Sequence, residues 1–390
     1  MFFVDKPYVS DFLKQTLNEY CIPVVDTEII NELNLNKSAN IISQSDAINM
    51  ANNQSHPIVY MNSENAINWI SENLSFCELP KKINLFKDKL KFRELTKTLY
   101  PDLFFKGLKV DSLKTIKFDE LPTPFIIKPT VGFFSMGVYK VNGLADWEKT
   151  INLIEQETKQ VKDLYPIEVL NTNNFIVEEY ITGEEFALDA YFDKNGDAVV
   201  LSILRHTFAS EEDVSDRVYT TSKEIIEDNL EEFTDFVNKI GQLTQVKNFP
   251  VHIELRRNKK GMLLPIEVNP MRFGGWCTTA DMSYFAYGFN QYHYYYTQQK
   301  PDWSKLLNGK EDKLYSVIVL DNSTGVAEEK IKAFNYDKLM SKFNNPLELR
   351  KIDHNQYPLF GFLFTETNTD NFSELQYILD SDLTEFISLD

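Results

Sequence analysis

Glu254, Glu267 and Asn269 have the types and spacing of ligands for a hard divalent cation. The run Val251-His252-Ile253-Glu254-Leu255 alternates apolar and polar residues, the period of a half-buried strand. Leu264-Pro265-Ile266-Glu267-Val268-Asn269 alternates too, and Arg257-Asn258-Lys259-Lys260-Gly261 between them has the composition of a turn. Pairing about Lys260-Gly261 sets Glu254 opposite Glu267 and His252 opposite Asn269. Two carboxylates opposed across an antiparallel pair repel each other, and a cation between them removes that cost. Carboxylate and amide oxygens without thiolates suit Mg²⁺ or Mn²⁺ rather than zinc. Taken alone, the hairpin is read about equally well as a solvated polar face. The flanking segments decide.

Two lysines supply the complementary charge. Asp88-Lys89-Leu90-Lys91-Phe92-Arg93-Glu94-Leu95 opens a helix that Leu95 and Leu99 continue on its apolar side. Pro124-Phe125-Ile126-Ile127-Lys128-Pro129 is an apolar strand that delivers Lys128 at its end. The following Thr130-Val131-Gly132-Phe133-Phe134-Ser135-Met136-Gly137-Val138 is turn-prone, and Tyr139-Lys140-Val141 is a return strand. A lysine ahead of a Gly/Ser loop can set an ammonium and several backbone N–H groups around a polyphosphate. After a helical stretch marked by Leu144, Trp147, Ile151, Ile154 and Val161 comes Phe175-Ile176-Val177-Glu178-Glu179-Tyr180-Ile181-Thr182-Gly183-Glu184-Glu185-Phe186.

Arg205, at the end of Val199-Val200-Leu201-Ser202-Ile203-Leu204, and Arg272, between Pro270 and Gly274-Gly275, offer forks for a carboxylate or a transferred phosphoryl group. A surface salt bridge explains Arg205 equally well and Arg272 less well. His206 and His252 fit hydrogen-bonded structural roles better than ligand roles, and Arg217 and Arg256 are weaker candidates. Cys277 has no base partner in sight and reads as a small buried residue.

The rest of the chain must position these groups. With 390 residues it is too long for one ordinary core and implies two or three domains. Hydrophobic residues at 43% and charged residues at 25% are those of a soluble globular protein. No apolar run has membrane-spanning length, and Met1-Phe2-Phe3-Val4-Asp5-Lys6 lacks the features of a signal peptide. Cys21, Cys77 and Cys277 are widely spaced and odd in number, which points to a reducing, cytoplasmic setting. A net charge of -18 argues against nucleic acid and anionic membrane as partners.

Residues 1–85 read as a small α/β unit with strands at Phe2-Phe3-Val4, Pro23-Val24-Val25 and Pro57-Ile58-Val59-Tyr60. Without a glycine-rich turn after the first strand, a dinucleotide site is not expected there. Ile226, Leu230, Phe233, Val237 and Ile240 predict an amphipathic core helix over 224–243. The aromatic residues of 284–296 predict a helix packed on the catalytic sheet. Residues 309–390 read as a separate α/β appendage, with strands near 315–320 and 359–364 and helices near 328–343 and 372–387.

The order of these stations resembles that of the ATP-grasp proteins, carboxylate-amine ligase type. That family has an aspartate-lysine pair opening a helix, here Asp88-Lys89, and a second lysine before a Gly/Ser loop, here Lys128. A Glu-Glu-x-x-x-Gly-x-Glu-like hinge follows, and then an acid on one strand with Glu-x-Asn on the next. The resemblance covers roughly residues 86–301 and implies an α/β ATP-grasp fold, with an ATP-grasp domain over 86–308 between the two smaller units. Carried over, it implies that Lys89 and Lys128 contact the phosphates of ATP, with Ser135 as a loop donor. Glu178, Tyr180 and Ile181 would bind adenine, and Glu185 the ribose; Glu254, Glu267 and Asn269 would hold Mg²⁺ or Mn²⁺. Phe133, Phe134 and Met136 depart from the small residues usual in that loop, though an apolar lid suits a labile intermediate. Glu179 and Glu184 face solvent in this scheme.

The implied activity is ATP-dependent amide formation through an acyl phosphate, from small-molecule carboxylate and amine substrates, by a chain that could form a homodimer. Acyl-thioester formation, phosphotransfer and a non-catalytic ATP-binding scaffold are the rival readings.

Overall fold

The structure, a computed structural model, describes residues 1–33, 35, 39–132, 137–161, 173–209 and 216–389, without the side chains of 158–161. The first unit is a four-stranded parallel sheet of β1 (Phe2–Phe3), β2 (Val24–Val25), β3 (Ile41–Ile42) and β4 (Tyr60–Met61), in the order β3-β2-β1-β4. Two of its three expected strands appear where predicted; the third begins later, at Tyr60, and Ile41–Ile42 is an addition. Strands this short carry almost no alternation to read.

A second four-stranded sheet, antiparallel, consists of β5 (Phe105–Lys109), β6 (Phe125–Pro129), β7 (Tyr139–Val141) and β8 (Asn174–Glu179), ordered β5-β8-β6-β7. Together with the helix Leu144–Val161 it has its own core of Phe125, Ile127, Trp147, Ile154 and Val177.

The remaining strands are β9 (Glu184–Phe192), β10 (Ala198–Thr207), β11 (Val218–Ser222), β12 (Phe249–Arg257), β13 (Leu263–Pro270), β14 (Lys313–Asp321), β15 (Ile331–Phe334), β16 (Pro346–Lys351), β17 (Leu359–Asn368) and β18 (Ile387–Leu389). Eight of them form one sheet ordered β13-β12-β9-β10-β11-β14-β17-β16, and β15 pairs with β18. The C-terminal stretch is therefore not the separate appendage expected from sequence. Its strand β14 pairs with β11 from Val218↔Ile318 to Ser222↔Leu314 and continues the sheet. Within it, the helix expected near 328–343 is replaced by β15 and a short helix Tyr336–Met340, and the helix near 372–387 stops at Asp380.

The core helix Lys223–Thr244 starts where Ser222 accepts a hydrogen bond from the Ile225 N–H and ends where Gln245 turns left-handed, φ 52°. Its buried Phe233 meets Phe186 of β9 edge-on, ring centroids 5.2 Å apart, so one face of the sheet is apolar and helix-covered. Gly241 is required in that packing, because a Cβ there would lie 2.6 Å from the Phe192 ring. The aromatic segment forms two helices, Thr278–Tyr287 and Gln291–Thr297, rather than one, broken at Gly288 with φ 75°.

Candidate functional site

The opposite face of the large sheet carries the polar residues. Glu254 pairs with Glu267 and His252 with Asn269 across β12 and β13, the register that the alternation predicts. On the other side, β12 pairs His252 with Asp189 and Arg256 with Glu185 of β9. Paired residues share a face, so Glu185, Asp189, His252, Glu254, Arg256, Glu267 and Asn269 line one surface. Arg205 does not. It pairs with Phe186 and Thr220, on the helix-covered face, and is exposed there. The strand runs on to Thr207, and His206, one residue later, is the one that turns to the polar face and meets Glu185.

The second sheet and the helix before it bring the cations. Asp88 caps the helix Lys89–Thr96, its Oδ1 accepting from the Leu90 and Lys91 N–H groups at 3.1 and 3.2 Å. The Lys89 N–H donates to the Thr130 carbonyl at 2.8 Å, which fastens the helix start to the stretch after Lys128. Lys89 Nζ lies 3.4 Å from Glu267 Oε1, and Lys128 Nζ lies 2.8 Å from Glu178 Oε2. Glu178 Oε1 also takes the Nε–H of Arg93 at 2.5 Å. Burial works to raise the Glu178 pKa, but Arg93 and Lys128 outweigh it and hold the carboxyl down at about 2. Ser135 lies outside the described residues.

Charge around the two facing acids is lopsided. Burial and the neighbouring Glu267 push Glu254 well above the usual carboxylate range. Burial pushes Glu267 up as well, but Lys89, Lys87, Lys128 and Arg272 prevail and bring it down. His252 stands beside Glu254, its Nε2 3.8 Å from Glu254 Oε1 and its Nδ1 2.8 Å from Asp189 Oδ1. Asp189 is fully buried and also accepts from the Gly274 N–H at 3.0 Å and from the Thr279 hydroxyl. Two carboxylates and an amide oxygen on one hairpin face are a donor set that fits Mg²⁺ or Mn²⁺. Among the described residues no group of three or more His, Cys, Asp and Glu side chains is placed to hold a metal ion, so this set depends on its amide oxygen as the third donor.

At the hinge between β8 and β9, Gly183 has φ 136° and its absent Cβ would fall 2.0 Å from the Arg257 carbonyl, so no other residue fits. Glu185 is held by Arg256, at 2.7 Å from Nε and 2.6 Å from Nη2, and by His206 Nδ1 at 3.1 Å. Arg256 also donates to the Ile181 carbonyl and lies over the Tyr180 ring, so it braces the expected adenine pocket more directly than its sequence suggested. Glu184 and Glu179 point elsewhere, Glu184 to Arg257 at 3.8 Å and Glu179 to the Phe104 N–H at 3.3 Å. Arg217 belongs to the C-terminal elements, 2.9 Å from Asp321. Cys277 is buried and its thiol is pushed up to about 11 by burial, as suits a packing residue.

Arg272 reaches the same region from beyond Asn269. Its Nε and Nη2 lie 3.4 and 3.5 Å from one oxygen of Glu64, and its Nη1 donates to the Phe273 carbonyl at 3.0 Å. Lys87 pairs with the other oxygen of Glu64 and donates to the Gly132 carbonyl at 3.1 Å. Sequence reasoning missed Lys87, Arg93, Asp189 and Glu64. Arg93 was detectable, four residues beyond Lys89 on the same helix face. Glu64 and Asp189 gave no local signal.

A profile of the ATP-grasp domain matches residues 121–280. Solved structures similar to this chain include an L-amino acid ligase from Bacillus licheniformis, at 15% identity and TM-score 0.68, covering 100% of this chain and 98% of that one. An N5-carboxyaminoimidazole ribonucleotide synthetase from Thermotoga maritima is similar at 12% identity and TM-score 0.64, covering 100% and 98%. A biotin carboxylase from Campylobacter jejuni follows at 12% identity and TM-score 0.63, covering 100% and 91%. No curated protein matches the chain by sequence.

Proposed function

We propose that this chain, which has an ATP-grasp domain over residues 121–280, is a carboxylate-amine ligase, forming an amide through an acyl phosphate and releasing ADP and phosphate. An ATP-grasp domain together with ligases as structural neighbours supports an ATP-dependent ligase as the enzyme class. The observation that carries the finer reading is the convergence on Glu267 of Lys89 at 3.4 Å and of the Lys87, Lys128 and Arg272 charges. Lys128 comes from the second sheet, Arg272 from just past β13, and Lys87 and Lys89 from the end of one helix and the start of the next. A surface that merely displays acidic residues has no need of four buried or half-buried cations around one carboxylate.

In this reading Lys89 and Lys128 hold the phosphates of ATP as point charges. Glu178, Tyr180 and Ile181 form the adenine pocket and Glu185 receives the ribose. Glu254, Glu267 and Asn269 hold Mg²⁺ or Mn²⁺, which when bound neutralises phosphate charge. Arg272 grips the acceptor carboxylate or the transferred group with its fork. An oxygen of the substrate carboxylate attacks the γ-phosphorus as the bond to the ADP oxygen breaks. The amine then attacks the acyl carbon, the acyl–oxygen bond to phosphate breaks, and the amine gives up a proton. Positioning and charge neutralisation suffice, and no protein nucleophile is required.

Small-molecule substrates and a cytoplasmic setting belong to the same proposal, as does a homodimer. Cys21, Cys77 and Cys277 are all free thiols, which suits a reducing compartment. No helix among the described residues is long and apolar enough to cross a membrane.

The test is incubation with Mg·ATP and pools of amino acids, other acids and amines, scored for ADP and phosphate release and for the amide product. Substrate-dependent release with an amide product supports the ligase. A thioester or phosphoester product, or release with no pool, overturns it in favour of another reaction class.

A further inference from the structure

We propose that Glu64, from the N-terminal unit, is a positioning residue that sets the guanidinium of Arg272 for its task; this rests on the ligase reading above. The N-terminal sheet is joined to the metal-bearing hairpin by a backbone bond. The Met61 N–H at the end of β4 donates to the Met271 carbonyl just past β13, at 2.8 Å. Met271 itself adopts φ 65°, a conformation costly for a side chain of its size, and its N–H donates to the Pro250 carbonyl at 2.8 Å. Held at both ends, Met271 turns the chain so that Arg272 points toward the N-terminal unit. The same bond brings Glu64, three residues past Met61, to meet it.

The contacts are unequal in a way that suits positioning. Arg272 meets only one oxygen of Glu64, at 3.4 and 3.5 Å, longer than a good charge-assisted hydrogen bond. A short two-pronged pair would use up the fork, whereas this loose contact orients it and leaves donors for a ligand. The other Glu64 oxygen is taken by Lys87, which also holds the Gly132 carbonyl, four residues beyond Lys128. Glu64 is thereby fixed from one side and steers Arg272 on the other. Its side chain is 12% exposed and that of Arg272 14%, so solvent screens the pair little. Loss of the Glu64 charge would leave Arg272 free to turn away and Lys87 buried without its carboxylate.

The experiment uses the full chain with MgADP and aluminium fluoride, a mimic of the transferred phosphoryl group that needs no known acceptor. Calorimetry of wild type, Glu64→Gln, Glu64→Asp, Arg272→Lys and the Glu64→Gln/Arg272→Lys double variant gives affinities with and without fluoride. Glu64→Gln is expected to lose at least tenfold in affinity for the fluoride complex while MgADP alone changes less than threefold. Glu64→Asp should recover part of the loss, and Glu64→Gln should cost nothing further once Arg272 is Lys. Wild-type trapping that Glu64→Gln leaves intact overturns the proposal alone. Equal losses with and without fluoride, or full additivity in the double variant, mark a merely structural residue and overturn it too. No trapping by the wild type overturns the phosphoryl-transfer reading and this proposal with it.

Discussion

Glu254 and Glu267 are register partners across one hairpin, yet their surroundings drive their acidities apart. Glu267 lies within reach of Lys89, at 3.4 Å, whereas around Glu254 burial and the carboxylates of Glu267, Asp216 and Glu185 outweigh Arg272, with His252 Nε2 at 3.8 Å. The pair therefore has one acid held toward its ionised form and one pushed toward its protonated form.

Binding of Mn²⁺ at pH 7 should consequently release protons, because a carboxyl whose pKa is raised must ionise to become a ligand. Calorimetry in buffers of different ionisation enthalpy measures the number released. Wild type should show clear release, and Glu254→Gln should show little with weaker binding. Equal release in both would remove Glu254 from the ligand set.

Replacing Glu267 by Gln should abolish substrate turnover without unfolding the chain. One of two opposed charges disappears, so repulsion across the hairpin falls, although Lys89 loses its partner. The expected loss exceeds the roughly 10- to 100-fold that follows removal of a group that merely orients a ligand. Turnover restored by saturating Mg²⁺ would contradict the assignment.

Lys128→Met should weaken ATP far more than adenosine. A desolvated charge-assisted contact to phosphate contributes about 1.5–3 kcal/mol, roughly tenfold or more in affinity. Titration of both ligands decides the matter, and an unchanged ratio of affinities would reject a phosphate role for Lys128.

Acid stability offers a check that needs no ligand. Arg93 and Lys128 hold Glu178 at about 2, below its value in an unfolded chain. A lowered carboxyl contributes stability that is complete above about pH 4.5 and is lost as pH falls toward 2, on the order of 3 kcal/mol for this shift. Thermal melts of Glu178→Gln should start lower at pH 7, since two buried cations lose their anion, and then fall less than wild type between pH 5 and pH 3. Parallel curves would show that the ion pair carries none of the acid sensitivity.

Much of this site was legible in the sequence because its parts are local. The β12–β13 hairpin has a polar turn and enough alternation to set Glu254 opposite Glu267 and His252 opposite Asn269, although a bulge between Glu254 and Leu255, which no pattern announces, shifts the pairing nearer the turn. Asp88 and Lys89 announce a helix start in the ordinary way. Arg205 went astray because 199–204 is nearly all apolar apart from Ser202, so its pattern marks no face, and a bulge between Val200 and Ser202 shifts the count. Glu64 and Arg272 meet across 208 positions, and no local pattern encodes such a pair. The C-terminal strands were found, but alternation within a strand says nothing of which neighbour it will choose.

That choice has a bearing on how the chain can be dissected. Because β14 lies against the full length of β11, removal of everything after Asn308 would strip that strand of the large sheet of a neighbour and leave a raw row of backbone donors and acceptors. Such a fragment would invite self-association before it could be assayed. Excision experiments on this protein are better made as point changes inside the intact chain than as cuts at the boundary that its composition suggests.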